Sequence, residues 1–332
     1  MTMLPPYSRI AILGGGAWGT ALATAALAAG RETLLWARED DVVADIRQGE
    51  NKRFLPGIIL PRNLRATTVL AEAAEADALL LAVPAQVLGE FAATLAPMIA
   101  PGTPLVICAK GIEKNTGRLV NEVLAEAAPK ATPAILSGPS FARDVAKGLP
   151  TAVTIAAPGD AAERLQTSLS APLFRPYASD DVVGVALGGA AKNVYAIACG
   201  VVEGLGLGEN ARAALLARSF AELARLGEAL GARRETLMGL SGLGDLVLTA
   251  TSKSSRNFSF GVDLGQGQSV AQLNAPGHPL AEGVATAPAL VKRARAENVE
   301  LPIAEAMADL LSGALPLGEA VTRLMTRRLT NE

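Results

Sequence analysis

The sequence predicts an α/β protein: an N-terminal doubly wound, mostly parallel sheet, followed by a C-terminal all-helical domain. Three observations carry that reading. Up to about residue 178, short apolar runs alternate with helical patterns, and beyond it the strand signal stops. The runs are continuously apolar, as strands covered by helices on both faces must be. A glycine-rich turn stands directly between the first run and the first helical stretch.

Taken in order, strands are predicted at 9–13, 33–36, 78–83, 104–108, 134–137, 151–155 and 174–177, and helices at 17–29, 40–48, 86–95, 117–127 and 160–169. Strands alternating with helices in this way build a parallel sheet. Ser179-Asp180-Asp181 then reads as an N-cap with first-turn acids, opening a long helix to about Leu205. Further helices are predicted at 211–230, 233–238, 285–297 and 303–311, which puts the domain boundary between 179 and 180. The stretch 249–268, rich in glycine and serine, reads as a surface loop. No internal repeat is visible.

Composition narrows the chemistry. The chain has 332 residues, half of them apolar, enough for two packed domains. Thirty basic against 32 acidic residues leave a net charge of −2, which excludes a nucleic-acid surface or a polybasic membrane contact. Any anionic ligand must be held by a few local cations. Two cysteines, Cys108 and Cys199, exclude a disulfide framework and point to a reducing, cytoplasmic location. One histidine, His278, argues against a metal site and against histidine-based catalysis, leaving a lysine or a carboxylate as the acid–base group. The first apolar run, 10–13, is too short for a secretory core, and stretches such as 21–29 and 76–83 are too short for stable membrane insertion.

Gly14-Gly15-Gly16-Ala17-Trp18-Gly19 fits G-x-G-x-x-G, after a strand and before a helix. In a Rossmann-like unit Gly14 allows the tight turn and Gly16 lets backbone approach a pyrophosphate. Gly19 lets the helix pack on the strand, with the phosphates at the helix N-terminus. Residues 1–179 are therefore expected to bind a dinucleotide. An acid about 20 residues after the glycines would take a ribose hydroxyl. Here the tip of the second strand carries Arg38, which could face a 2′-phosphate, while Glu39 and Asp40 fall into the next helix. NADPH is favoured over NADH, with a merely solvated arginine the plain alternative.

In Gly188-Gly189-Ala190-Ala191-Lys192-Asn193 a lysine lies mid-helix in an apolar stretch, and the two glycines share its face. Glycine inside a helix costs roughly 1 kcal/mol relative to alanine, so close approach of a ligand or backbone is implied. Burial makes a lysine's charge easier to lose, which suits proton transfer; a lysine snorkelling from a helix contact is the bland reading. Ser254-Ser255-Arg256-Asn257 offers hydroxyl, guanidinium and amide donors for a phosphate. Lys110, and Ser137-Gly138-Pro139-Ser140, follow strands at the end of the sheet where such folds bind ligands.

These motifs together resemble the bacterial NAD(P)-dependent glycerol-3-phosphate dehydrogenases over nearly the whole chain. The matching pieces are residues 14–23 (GGGAWGTALA), 51–61 (NKRFLPGIILP), 109–111 (AKG), 137–142 (SGPSFA), 188–194 (GGAAKNV), 239–249 (GLSGLGDLVLT), 255–257 (SRN) and 281–286 (AEGVAT). Ala250 and Asp144 depart from the usual cysteine and glutamate, at positions given no role. The resemblance implies reversible reduction of dihydroxyacetone phosphate to sn-glycerol 3-phosphate by NAD(P)H, for phospholipid synthesis. It implies Lys192 as proton donor and acceptor, and a substrate site of Lys110, Gly138, Ser140, Lys192, Asp245, Ser255, Arg256 and Asn257. Cofactor contacts would come from Ala17, Trp18, Arg38, Lys110, Ala142, Arg256, Leu280 and Glu282, with Gly14, Gly16 and Gly19 forming the turn. The like charge of Lys110 would favour proton release from Lys192, and Asp245 would hold and orient it. No metal is required, and a homodimer through the helical domain is compatible with the family. The rival readings are a lysine-dependent 3-hydroxy acid dehydrogenase or ketopantoate reductase, and a dinucleotide sensor without turnover. The former typically has an asparagine four residues after its lysine, where this chain has Ala196.

Overall fold

The computed structural model describes residues 5–326 apart from Pro276 and Pro279. They form two compact units: residues up to Lys110 with Leu119–Ala186, and Gly111–Arg118 with the residues from Leu187 onward.

The first unit is an eight-stranded sheet with strands β1 Arg9–Leu13, β2 Glu32–Trp36, β3 Arg65–Thr67, β4 Ala78–Leu81, β5 Pro104–Ile107, β6 Thr132–Ser137, β7 Thr151–Ala156 and β8 Phe174–Ser179. Their order is β3-β2-β1-β4-β5-β6-β7-β8. All neighbours are parallel except β6 and β7, which pair antiparallel. The strand order reverses at β1 and β4, so the crevice beyond Leu13 and Leu81 is the position where such sheets bind ligands. Every residue of β4 and β5 is buried, as parallel strands covered on both faces require.

The expected strands are present, with ends shifted by one or two residues at several of them. β3 was not legible because three residues are too few for a periodic signal. The same holds for two five-residue helices, Leu70–Ala74 and Ala142–Ala146.

The second unit is helical, as predicted, and the helix Val182–Gly204 runs into it from the first. That helix is 23 residues long and apolar enough to cross a membrane by length and composition, yet residues 184–200 are all buried within the protein. Its cap differs from expectation. Ser179 ends β8 and its hydroxyl accepts the Asp181 N–H (3.1 Å), while Asp181 Oδ1 accepts the Gly184 N–H (2.8 Å). The carboxylate nearer the helix therefore takes the capping role.

The expected surface loop at 249–268 is corrected: Asp245–Ala250 and Arg256–Gly265 are helices. Glycines that read as loop signals are helix contacts. A Cβ on Gly261 would lie 2.1 Å from the Ile197 carbonyl oxygen, and one on Gly200 2.1 Å from that of Phe258. Gly204 and Gly265 repeat the relation one turn on, against Val262 and Val201. Two glycines spaced by four on each helix let the backbones touch, and no larger residue fits.

Candidate active site

In the first unit the glycine turn has the predicted form. Gly14 has φ +129°, a conformation that glycine adopts without penalty, and its N–H bonds to the Trp36 carbonyl (2.9 Å). A Cβ on Gly19 would lie 1.9 Å from the Gly14 carbonyl oxygen, so only glycine lets the helix Ala17–Ala28 start there. Gly16 differs: a Cβ on it would meet nothing within 4 Å and would project into open space. The helix behind it has no side-chain cap and no first-turn acid, so its leading N–H groups face that space. This cradle fits a pyrophosphate.

Asn51, which sequence reasoning gave no role, locks the turn. It is buried; its amide donates to the Gly15 carbonyl and Thr20 Oγ1 (both 2.9 Å), and its Oδ1 accepts the Phe54 N–H (3.1 Å). Ala17, Trp18 and Ala142 pack against the apolar core under the sheet's helices, and the buried Trp18 indole nitrogen has no hydrogen-bond partner. Arg38 extends from the end of β2 into solvent and pairs with Glu39 (2.8 Å), an exposed contact that contributes little. Lys110, Gly138 and Ser140 converge: Lys110 Nζ and Ser140 Oγ both donate to the Gly138 carbonyl, at 3.1 and 2.9 Å. Gly138 has φ +149° and lies against Val153.

In the second unit, Lys192 is buried and bonds Asp245 Oδ1 (2.5 Å) and Thr249 Oγ1 (2.9 Å). Thr249 in turn donates to Asp245 Oδ1 (3.3 Å), closing a triangle. Local sequence explains the meeting. A Cβ on Gly188 would lie 2.6 Å from the Ser241 carbonyl oxygen, so the bare helix face admits the segment Leu240–Gly244, a single π-helical turn. The helix Asp245–Ala250 starts where that turn ends, which sets Asp245 and Thr249, four apart, against Lys192 one turn after Gly188. A charge pair this deeply buried requires such additional hydrogen bonding. Thr249 was the missed member, although its spacing from Asp245 was a usable signal.

The donor cluster 254–257 opens a helix and does not lie within a loop. Ser255 Oγ caps Arg256–Gly265 by accepting the Phe258 N–H (3.2 Å). Asn257 is buried, donating to Asn193 Oδ1 (3.0 Å) and accepting the Gly283 N–H (2.9 Å). Asn193 reaches Glu282 (3.5 Å), so Lys192, the 255–257 cluster and Glu282 are linked through the residue next to the lysine. Arg256 is exposed and forms no hydrogen bond or ion pair among the described residues. Leu280 is exposed before the N-terminus of the helix Glu282–Ala296. Both cysteines are buried and neither is an available nucleophile, burial pushing the Cys199 thiol up to about 12.

Comparison with known proteins agrees with these features. The family model described as the NAD-dependent glycerol-3-phosphate dehydrogenase N-terminus matches residues 9–163, and its C-terminal counterpart matches 181–322. The chain belongs to this family. A glycerol-3-phosphate dehydrogenase [NAD(P)+] from Parvibaculum lavamentivorans is 55% identical over 328 residues, covering 98% of each chain. One from Bradyrhizobium sp. (strain ORS 278) is also 55% identical, covering 97% of each. The crystal structure of the Coxiella burnetii enzyme is 38% identical, with a TM-score of 0.90, covering 97% of this chain and 99% of that one. A ketopantoate reductase from Ralstonia eutropha shares the fold alone, at 16% identity and a TM-score of 0.59, covering 95% of this chain and 99% of that one. The family is thus one of NAD(P)-dependent oxidoreductases, and the dehydrogenase reading stands over the ketopantoate rival.

Proposed function

We propose that this chain interconverts dihydroxyacetone phosphate and sn-glycerol 3-phosphate with NADPH as the preferred coenzyme, in the cytoplasm, supplying glycerol phosphate for phospholipid synthesis. The observation that carries the reading is Lys192, buried and held by Asp245 and Thr249, in the same helical unit as Arg256, which is exposed and has no ion pair among the described residues. Residues 1–179 would carry the dinucleotide and 180–332 the substrate and acid–base chemistry.

A bound nicotinamide dinucleotide supplies the hydride. The chain's own residues do the rest. As negative charge builds on the carbonyl oxygen, the Lys192 ammonium gives it a proton, and in the reverse direction the amine takes one back. Asp245 and Thr249 keep Nζ aimed. Arg256 would hold the phosphate through its planar fork, aided by the Ser255 hydroxyl, while Asn257 fixes the start of that helix. The glycine turn and the uncapped helix behind it would take the pyrophosphate, with Ala142, Leu280 and Glu282 as further cofactor contacts. Lys110 and Ser140, which converge on the Gly138 carbonyl, and Gly138 itself are proposed as further substrate ligands. Arg38 would exchange its exposed contact with Glu39 for the 2′-phosphate. The test is oxidation of NADPH and of NADH with dihydroxyacetone phosphate, ketopantoate and simple oxo acids in parallel. Turnover confined to the phosphorylated ketone supports the reading; turnover of ketopantoate overturns it.

A further inference from the structure

Among the holds on the helix that carries Lys192, three fix it along its length in the second unit. Gly188 meets Leu240–Gly244, and Gly200 and Gly204 meet Arg256–Gly265. The third hold is polar. Tyr195, fully buried and one turn beyond Lys192, donates its hydroxyl to Glu222 Oε2 (3.3 Å). Glu222 is buried on the helix Gly208–Ala229 and accepts two more bonds, from the N–H groups of Ile303 (2.7 Å) and Ala304 (3.2 Å). These belong to the first turn of Pro302–Ser312, whose own N-cap, Leu301, has no side chain that could accept them. One carboxylate therefore caps one helix and anchors another.

We infer that Glu222 is a positioning residue for the reaction, fixing the height and rotation of the Lys192 helix through Tyr195. This rests on Lys192 being the acid–base group. Ionised, Glu222 accepts all three bonds. Protonated, one oxygen carries a hydrogen, so one of the three contacts must be given up or, at the Tyr195 hydroxyl, reversed in direction. Burial raises this carboxyl to about 7, against the two N–H bonds, the Tyr195 hydroxyl and the Arg225 guanidinium, which favour the ion. Glu305, in the first turn of the capped helix, is engaged by Arg323 (3.5 Å). Burial and Glu222 together keep the Tyr195 phenol protonated, so it stays a donor. The anchor is thus complete above neutral pH and weakened below it.

The experiment is the pH profile of kcat with dihydroxyacetone phosphate at saturating NADPH, for the wild type, E222Q and Y195F, with K192M alongside. In the wild type kcat rises through an ionisation near 7. In E222Q that step vanishes and kcat stays low, about tenfold down at pH 8, because a small displacement of a catalytic group is costly; KM changes little. Y195F loses the step in kcat but keeps the titration of Glu222, visible as a pH-dependent melting temperature. The sign of that dependence is fixed: a carboxyl raised on folding makes the protein most stable below about 4.5, and that contribution is lost as pH rises through 7. E222Q flattens it. A wild-type profile without the step, or a step that persists in either E222Q or Y195F, overturns the inference. Near-normal turnover by K192M instead overturns the assignment of Lys192, whatever the other two variants do.

Discussion

The two units use glycine in opposite ways. In the dinucleotide turn, Gly14 takes a left-handed conformation, Gly19 removes a collision, and Gly16 leaves backbone N–H groups open to a ligand. In the helical unit Gly188, Gly200, Gly204, Gly261 and Gly265 sit inside regular helices, and each is covered by a neighbouring backbone. There the bare face of glycine serves packing. It lowers helix propensity by roughly 1 kcal/mol per residue, offset by contact between main chains that brings polar side chains into register. One device makes a surface for an anion; the other builds a fixed frame around a charge.

The sharpest way to separate the two is to remove what each was built for. Lys192→Met empties the frame while leaving the turn untouched, so kcat should fall by roughly 10²–10⁴ with NADPH binding retained. Stopped-flow fluorescence of NADPH and steady-state rates measure the two halves independently. A loss of binding comparable to the loss of rate would break the separation.

The glycines test it next. Gly200→Ala forces a Cβ to 2.1 Å from the Phe258 carbonyl oxygen, and should cost about 1–3 kcal/mol of stability by overpacking. Gly16→Ala has φ −69° and open space, so its melting temperature should hold while dinucleotide affinity drops. Denaturation curves and NADPH titrations on both variants check this. An unstable Gly16→Ala, or a Gly200→Ala that folds as well as the wild type, would erase the contrast.

Arg256 probes the edge of the frame. Removing it should cost roughly 1.5–3 kcal/mol, or one to two decades in kcat/KM, and Arg256→Lys should recover only part because lysine lacks the planar fork. The loss should be far larger for dihydroxyacetone phosphate than for dihydroxyacetone with free phosphite. Equal proportional losses would assign the guanidinium to the cofactor or to its own helix.

The smallest effect is expected at Arg38, an exposed side chain in an exposed pair. Arg38→Asp should weaken NADPH about tenfold or less and leave NADH nearly unchanged, since repulsion reaches only the extra phosphate. Equal Kd changes for both coenzymes would mean that Arg38 touches the part they share.

Seven of the eight strands, the glycine turn and the place of Lys192 within an apolar helix were legible in the amino-acid sequence. Each is a local property. Continuous apolar runs report burial on both faces, G-x-G-x-x-G reports a turn that only glycine makes, and a lysine in an apolar helix stands out within a few residues. What surrounds the lysine was not local. Asp245 lies 53 positions away, Asn257 lies 64 from Asn193, and Ile303 lies 81 from Glu222. The sequence held the spacing of Gly200 and Gly204 and of Gly261 and Gly265, but not that these pairs face each other, and so 249–268 read as a loop. Periodicity determines which face of a helix is buried. Only the crossing of two helices, set by how closely their backbones can approach, decides which carboxylate, hydroxyl or amide meets the charge on that face.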